Sequence, residues 1–302
     1  MHRVTISYSR QQEEVNDYFR ARSSYWKDIY YSSGVQAEIY RERQAVTLAW
    51  IDDLALAPGS RVLEVGCGAG FLSVALARRG LHVLAIDSSE AMVELARQHA
   101  TGSGTSEMLS VEVGDVYALP FEDGSFDLVL AIGVIPWLAR PELAIGEMAR
   151  VTRLGGHAFL TADNRAQLIY QLDPLMNPIL APFKQPVKDM LERIGLFHLA
   201  QDKTKETLYD CRFIDEAMTS DKLVKTRSMT LGFGPFTFLR HRLIPKFLDL
   251  ALHYRLQHLA SRNVPIFRFR GSHYLVLARK MAPVPPDRSM SADLSRAPKK
   301  HY

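Results

Sequence analysis

The stretch VLEVGCGAG, Val62 to Gly70, decides the fold. An apolar run carrying one acid, Glu64, breaks into three glycines within five residues: Gly66, Gly68 and Gly70. The apolar run reads as a buried β-strand. Glycines this close together let the backbone approach a ligand with no Cβ in the way. The next residues, Phe71–Arg79, have helical spacing and stop at Gly80. A helix that starts directly behind such a loop presents free N–H groups to whatever the loop holds.

Outward from this loop the chain alternates strand and helix. His82–Asp87 is predicted as a second strand, ending in a carboxylate 17 residues after Gly70. Ser88–Ala100 reads as a helix, with Ser88 or Ser89 as N-cap and Glu90 in its first turn. Leu109–Gly114 and Phe126–Ile132 read as further strands, Pro141–Thr152 as an amphipathic helix ended by Gly155-Gly156, and His157–Ala162 as a fifth strand. This order implies an α/β fold with a doubly wound, mostly parallel sheet, whose ligand belongs at the carboxyl ends of the strands. After Asn164 the pattern breaks. A Pro-rich, partly helical segment (Pro174, Pro178, Pro182, Pro186) is followed by the helix Arg212–Ser220 and the strand Val224–Gly232. A second helical insert, Phe236–Ser261, precedes a strand at Phe267–Lys280, with Gly271 expected as a bulge. The expected organisation is a helical segment at 1–50, a ligand-binding core at 51–164, an insert at 165–211, the end of the core sheet at 212–281 with a helical insert at 236–262, and a tail of disorder-type composition at 282–302.

Composition narrows the classes. With 302 residues, 47% hydrophobic and 23% charged, the chain has the make-up of a soluble globular protein. Two cysteines, Cys67 and Cys211, make neither a disulfide framework nor a zinc spacing, so a reducing, cytoplasmic setting is expected and no metal site. The first residues lack the apolar core of a signal peptide. The longest near-apolar run, Leu128–Ala139, falls far short of the ~20 residues a membrane span needs. Charge is uneven: residues 221–302 carry 16 lysines and arginines against 4 carboxylates, whereas residues 1–220 carry 21 against 29. The basic end is either solvated surface or a face attracted to an anionic partner such as a membrane.

Two cofactors suit the glycine loop. A dinucleotide fingerprint is G-x-G-x-x-G with an acid about 20 residues on. Here the spacing is G-x-G-x-G, with Glu64 two positions ahead of it and Asp87 closing the next strand, placed to accept from a ribose diol. Four segments in order, VLEVGCGAG (62–70), AIDSSEAM (85–92), VGDVYALPFEDGSFDLVLAIGVI (113–135) and EMARVTRLGG (147–156), resemble the class I S-adenosylmethionine-dependent methyltransferases. The resemblance covers about residues 60–162 and implies a seven-stranded Rossmann-like sheet. It also implies S-adenosyl-L-methionine as cofactor, with Gly66, Gly68 and Gly70 facing its methionine and ribose, Asp87 taking the ribose hydroxyls, and Ser88 and Met92 flanking adenine. Asp115 would accept from the adenine amino group, the Val116 backbone would meet the ring, and Ile132 would lie near the methionine. Glu64 and Cys67 belong to the same loop motif. Read singly, Glu64 could cap a neighbouring loop, Cys67 could be small loop packing and Met92 could be core.

The segment DYFRARSSYWKDIYYSSGVQAEIYRER (17–43) resembles the cofactor lid of small-molecule methyltransferases, with a pattern similar to magnesium-protoporphyrin methyltransferases. That resemblance implies Tyr18 and Tyr30 as hydroxyls near the reacting groups, and Arg41 or Arg43 as partner of the cofactor carboxylate. The alternative is a helix packing its aromatics on the sheet edge.

Several substrate classes drop out. The place after the fourth strand reads AIGVIPW (131–137), without the N/D-P-P-Y/F box of enzymes that methylate nucleic-acid amino groups. No cysteine follows a proline, as base-carbon methylation would use. The Glu-His of many small-molecule relatives is also absent there; Trp137 is expected to wall the pocket. Base candidates are Tyr18, Tyr30, Asp163 and His241, with Asp163 read as a loop cap. The expected function is methyl transfer to a small-molecule or lipid-like acceptor, O-methylation favoured, with no nucleic-acid partner. The alternatives are a tetrapyrrole carboxylate methyltransferase and a non-catalytic cofactor-binding module. In Phe236–Arg262 an apolar stripe of Leu239, Leu243, Phe247, Leu250, Ala251 and Tyr254 is expected, punctuated by Arg240, Arg242, Lys246, Arg255 and Arg262. Such a helix either lies on an anionic membrane surface or roofs the active site.

Overall fold

Strands buried on both faces need continuous apolar runs, and RVLEV and FDLVLA supply them. They form β1 (Arg61–Val65) and β4 (Phe126–Ala131) at the centre of a seven-stranded sheet. The remaining strands are β2 (His82–Asp87), β3 (Leu109–Val113), β5 (Thr152–Asp163), β6 (Leu223–Leu231) and β9 (His273–Lys280); β7 (Thr237–Phe238) and β8 (His241–Arg242) form a separate small hairpin. The order is β3-β2-β1-β4-β5-β9-β6, parallel from β3 to β5, with β9 antiparallel to both β5 and β6. The computed structural model describes residues 2–174, 176, 177, 180, 206–238, 241, 242 and 244–282.

Side-chain alternation along the strands divides the core into two layers. Val62, Val83 and Leu128 face helices α3 (Val35–Asp52), α4 (Phe71–Ala77) and α5 (Glu90–Gly102). Leu63, Val65 and Val129 face α6 (Pro141–Val151) and α8 (Cys211–Ser220) through Ile145, Met148 and Ile214. Each fully buried side chain of this size contributes about 1.5–3 kcal/mol. Trp50 of α3 stacks on Phe159 of β5 at 5.3 Å, and the Arg227 guanidinium covers the indole at 4.6 Å. Before the sheet come α1 (His2–Ala21), α2 (Ser23–Asp28) and a 3-10 turn at Ile29–Tyr31; α7 (Leu168–Leu172) follows β5 and α9 (Lys246–Ser261) follows the hairpin.

The structure corrects several expectations. The helix before β5 ends at Val151, and β5 runs unbroken from Thr152 through the glycine pair, with Gly155 at φ +74°. β9 starts at His273, not Phe267, and Gly271 is no bulge: a Cβ there would lie 2.6 Å from the Leu231 nitrogen, so glycine permits close approach to β6. The register irregularity lies in β6, between Lys225 and Arg227. Ser89 occupies the N-cap of α5 without a side-chain capping bond. On α9 the buried face is Asp249, His253 and Ala260, not the expected apolar stripe; Phe247 is 70% exposed and Tyr254 45%. Two polar groups are buried there because they satisfy backbone. Asp249 accepts from the Phe236 N–H at 3.0 Å, and His253 Nδ1 accepts from the Phe233 N–H at 3.1 Å while its Nε2 meets Glu42 of α3 at 3.0 Å. Leu239, Arg240 and Leu243 lie outside the described residues, as do 181–205 of the Pro-rich insert and the tail from 283.

Candidate cofactor and acceptor site

The glycine loop is shaped by its own backbone. The N–H groups of Gly66 and Cys67 both donate to the Ile86 carbonyl, at 2.7 and 3.1 Å. The Gly68 N–H donates to Asp87 Oδ2 and the Ser89 N–H to Asp87 Oδ1, each at 2.9 Å. All three glycines have positive φ: +66°, +54° and +77°. A Cβ on Gly66 would meet Val134 Cγ2 at 2.3 Å, and one on Gly70 would press on Ala96 at 3.0 Å. A Cβ on Gly68 would meet nothing within 4 Å, because that position opens into a cavity. Burial pushes the Asp87 carboxyl up, against the two N–H groups that hold it down. Beneath the loop, Glu64 is buried, accepts from the Ser73 hydroxyl of α4 and is pushed up to about 8 by desolvation, so it is mainly a neutral carboxyl at pH 7. The Cys67 thiol is also raised well above its ordinary value by burial, which keeps it an unreactive thiol.

Along one side the same cavity is lined by Ser88, Met92, Asp115, Val116 and Ile132. Met92 and Val116 are buried apolar walls, and Asp115 is exposed, with Oδ1 accepting from the Tyr117 N–H at 2.9 Å. The N-terminal helices close the rim. Gln12 Nε2 donates to Ser88 Oγ at 2.9 Å, the Ser88 hydroxyl donates to Asn16 Oδ1 at 2.8 Å, and Asn16 Nδ2 donates to the Ser88 carbonyl at 3.1 Å. Ser88 is therefore clasped by α1 instead of capping α5.

The opposite side is aromatic and charged. Phe19, Trp26, Tyr40 and Trp137 line it, while Phe71 follows Gly70 directly and belongs with the glycine loop. Tyr30 rests on Phe71 at 4.8 Å. The Trp26 Nε1–H is buried with no partner among the described residues. Arg43 is only 8% exposed; its guanidinium lies 4.5 Å over the Tyr40 ring and beside Gly133, with no carboxylate in salt-bridge contact among the described residues. Tyr18 does not line the cavity. It backs Trp137 at 5.0 Å and carries Arg22 over its ring, which corrects its expected place beside the reacting groups. Arg41 is likewise elsewhere, held by Glu38 and by the Tyr30 and Ser32 carbonyls, because its i−3 carboxylate is nearer than the cavity. His241 is exposed on the small hairpin, and no residue of α9 lines the cavity, so this helix does not roof it.

Three cavity groups escape sequence reasoning in whole or part. Asp163 is no loop cap: its Oδ1 meets His273 Nδ1 at 3.0 Å, and both side chains are nearly buried. Glu206 lines the cavity from its rim, where it is still exposed to solvent; the surrounding protein and Asp163 push its carboxyl up, against the lowering effect of Arg43. No spacing signal links residues 110 positions apart; the pairing is a product of β5 lying antiparallel to β9. Among the described residues no cluster of three metal-ligating side chains occurs.

An open glycine cradle, a carboxylate at the end of β2, apolar walls for a planar base and one buried cation fit a sulfonium nucleoside with an amino-acid tail. Residues 63–160 match the methyltransferase domain family model. Those residues run from β1 into β5 and hold the glycine loop and Asp87, so this segment is a methyltransferase domain. Among curated relatives, a ubiquinone biosynthesis O-methyltransferase of Hahella chejuensis is 38% identical over 41% of this chain and 52% of its own. One of Xylella fastidiosa is 31% identical over 55% of this chain and 65% of its own. The chain thus spans about half the length of the first relatives it matches. In fold, the magnesium protoporphyrin IX methyltransferase of Synechocystis PCC 6803, solved with S-adenosylhomocysteine bound, superposes with a TM-score of 0.59 at 18% identity, covering 89% of this chain and 99% of that one.

Proposed function

We propose that the protein transfers the methyl group of S-adenosylmethionine to an oxygen of a small or lipid-like acceptor. The observation that carries this reading is one cavity with two unlike halves: the glycine cradle with Asp87 at the end of β2 on one side, and Trp137, Asp163 and His273 by the ends of β4, β5 and the start of β9 on the other. When bound, the cofactor supplies an electrophilic methyl on a positively charged sulfur. The chain's own part is to bind, align and exclude water, which accounts for most of the acceleration in an in-line displacement. Asp87 would accept from the ribose hydroxyls, Gly68 would let the ligand reach the backbone, Met92 and Val116 would sandwich adenine with Asp115 at its amino edge, and Ile132 would lie along the methionine. Arg43 is assigned to the cofactor carboxylate, and Tyr30, which rests on Phe71, to the reacting groups. Isothermal calorimetry with S-adenosylhomocysteine tests the reading: binding is expected, and binding of NAD in its place overturns it.

The acceptor is proposed to be lipid-like because of the region around α9. Phe247 and Ile266 are about as exposed as surface side chains become (70% and 68%), and Arg242, Lys246, Arg255, Arg262, Arg268 and Arg270 belong to the same region, whose Asp249 is buried. An apolar and cationic face of this kind suits an anionic bilayer, at about 1 kcal/mol per basic residue near the surface. Among the described residues no helix is long and apolar enough to cross a membrane. Vesicles rich in phosphatidylglycerol should pull the protein down at low salt, less so with R242E/K246E/R255E. Protein left in the supernatant at low salt would assign it a soluble acceptor. The aromatic lid pattern keeps a tetrapyrrole carboxylate as the second candidate acceptor.

A further inference from the structure

We propose that His273, oriented by Asp163, is the general base that receives the proton of an acceptor hydroxyl. The proposal rests on the methyltransferase reading above and adds what that reading lacks, a proton acceptor, since no histidine follows β4 in the AIGVIPW segment.

The geometry is that of an oriented base. Asp163 is the last residue of β5 and His273 the first of β9, and they are directly paired across the antiparallel ladder. A carboxylate oxygen 3.0 Å from Nδ1 accepts its hydrogen, so the proton is held on Nδ1 and the lone pair is on Nε2. Nε2 has no hydrogen-bond partner among the described residues, and the ring belongs to the cavity wall. Both members are held from behind. The Tyr209 N–H donates to the Asp163 carbonyl at 2.8 Å, the Asn164 N–H donates to the Ser272 carbonyl at 2.7 Å, and Asn164 Nδ2 donates to the Phe269 and Gly271 carbonyls at 2.9 and 2.8 Å. The loop entering His273 is thereby tied to the residue leaving Asp163. A base seated this rigidly on strand ends needs little reorganisation to meet a bound hydroxyl.

The charged and titratable groups around the ring are Asp163 from β5, Tyr40 and Arg43 from α3, and Glu206 from the segment entering α8. The Tyr40 ring is 5.9 Å away, and burial raises its hydroxyl, so it stays protonated. In the reaction the hydroxyl oxygen forms a bond to the methyl carbon while the carbon–sulfur bond breaks with its electron pair going to sulfur, which leaves as a neutral thioether. The hydroxyl proton moves to Nε2, and the imidazolium, stabilised by Asp163, returns it to water. A carboxylate acceptor arrives already ionised and would leave the dyad without a task, so the dyad points to hydroxyl acceptors, phenols above all given the aromatic wall.

The test reads the imidazole itself. In protein labelled with 15N-histidine and saturated with S-adenosylhomocysteine at pH 8, His273 is expected as the Nδ1–H tautomer, and Asp163→Asn should scramble it. Added phenol, used as the probe, should shift the Nε2 resonance of His273. A proton found on Nε2, or an Nε2 resonance indifferent to phenol, overturns the proposal. His273→Gln keeps a donor toward Asp163 but no base: its melting temperature should match wild type, and its S-adenosylhomocysteine affinity should stay within about twofold. Its methyl transfer to phenolic acceptors should fall about 100-fold or more and recover with rising pH as the phenol ionises unaided. An unchanged rate, or a fall equal at all pH values, rejects the base. Absent S-adenosylhomocysteine binding in the wild type rejects the methyltransferase reading instead, and the phenol shift still judges the dyad.

Discussion

The two halves of the cavity are built in opposite ways. The cradle is local: Gly66 to Gly70, Ile86 and Asp87 lie within 22 positions, and their geometry is closed by backbone hydrogen bonds. The proposed acceptor half draws on Phe19, Asp163, Glu206 and His273, more than 250 positions from first to last, and is closed by side chains. A part closed by backbone admits few substitutions at its glycines. A part closed by side chains admits many, and there one fold can change its acceptor while keeping its cofactor.

Substitutions can break this contrast, beginning with the most severe. Gly66→Ala meets Val134 and a positive φ together, and should lose roughly 2–4 kcal/mol of stability with cofactor binding abolished. Gly68→Ala meets open space; its protein should fold with a cost near 1 kcal/mol from φ alone, yet bind S-adenosylhomocysteine poorly. Denaturant melts and calorimetry on the pair decide whether the cradle is backbone-limited; equal stability loss in both breaks the idea.

Next comes Glu64. Its folded carboxyl is raised to about 8 from an ordinary 4.5, so between these values the unfolded chain is ionised while the native chain keeps its proton. Stability therefore falls as pH rises through that window, by up to about 1.4 kcal/mol per pH unit. Glu64→Gln should flatten the pH dependence of the melting temperature between pH 5 and 8, with its gain largest at pH 8. An unaltered slope assigns the titration elsewhere. Asp87→Ala removes the acceptor of two loop N–H groups and of the proposed ribose contact, and should weaken S-adenosylhomocysteine binding by about 1–3 kcal/mol in calorimetry. The smallest effect belongs to the clasp: Asn16→Ala should cost about 0.5–1.5 kcal/mol and speed hydrogen exchange in residues 11–31, while leaving the Gly66–Gly70 amides protected. Equal exchange in both variants would mean α1 is fixed by packing, not by Ser88.

Legibility in the sequence follows the same division. The strand–loop–helix of Val62–Ala77, the acid at Asp87 and the parallel order to β5 are written in contiguous runs whose period and glycines have local meaning. Tyr18 misled because aromatic density marks packing as readily as chemistry; its ring supports Trp137. The α9 stripe misled because hydrophobic periodicity assumes an apolar buried face, whereas Asp249 and His253 are buried to serve two backbone N–H groups. Asp163 and His273 could not be joined from sequence, because their contact depends on which strands pair at the far edge of the sheet.

Among the described residues β9 comes last in sequence and yet lies inside the sheet, between β5 and β6. During translation the apolar ladder edge of β5, around Ala158–Ala162, therefore waits for its partner until Lys280 has left the ribosome. At ordinary elongation rates that interval is about ten seconds. An unpaired hydrophobic edge is an aggregation risk for as long as it persists. The nascent chain can assemble the cradle early, but it acquires a closed sheet, and with it the Asp163–His273 pair, only once β9 has emerged.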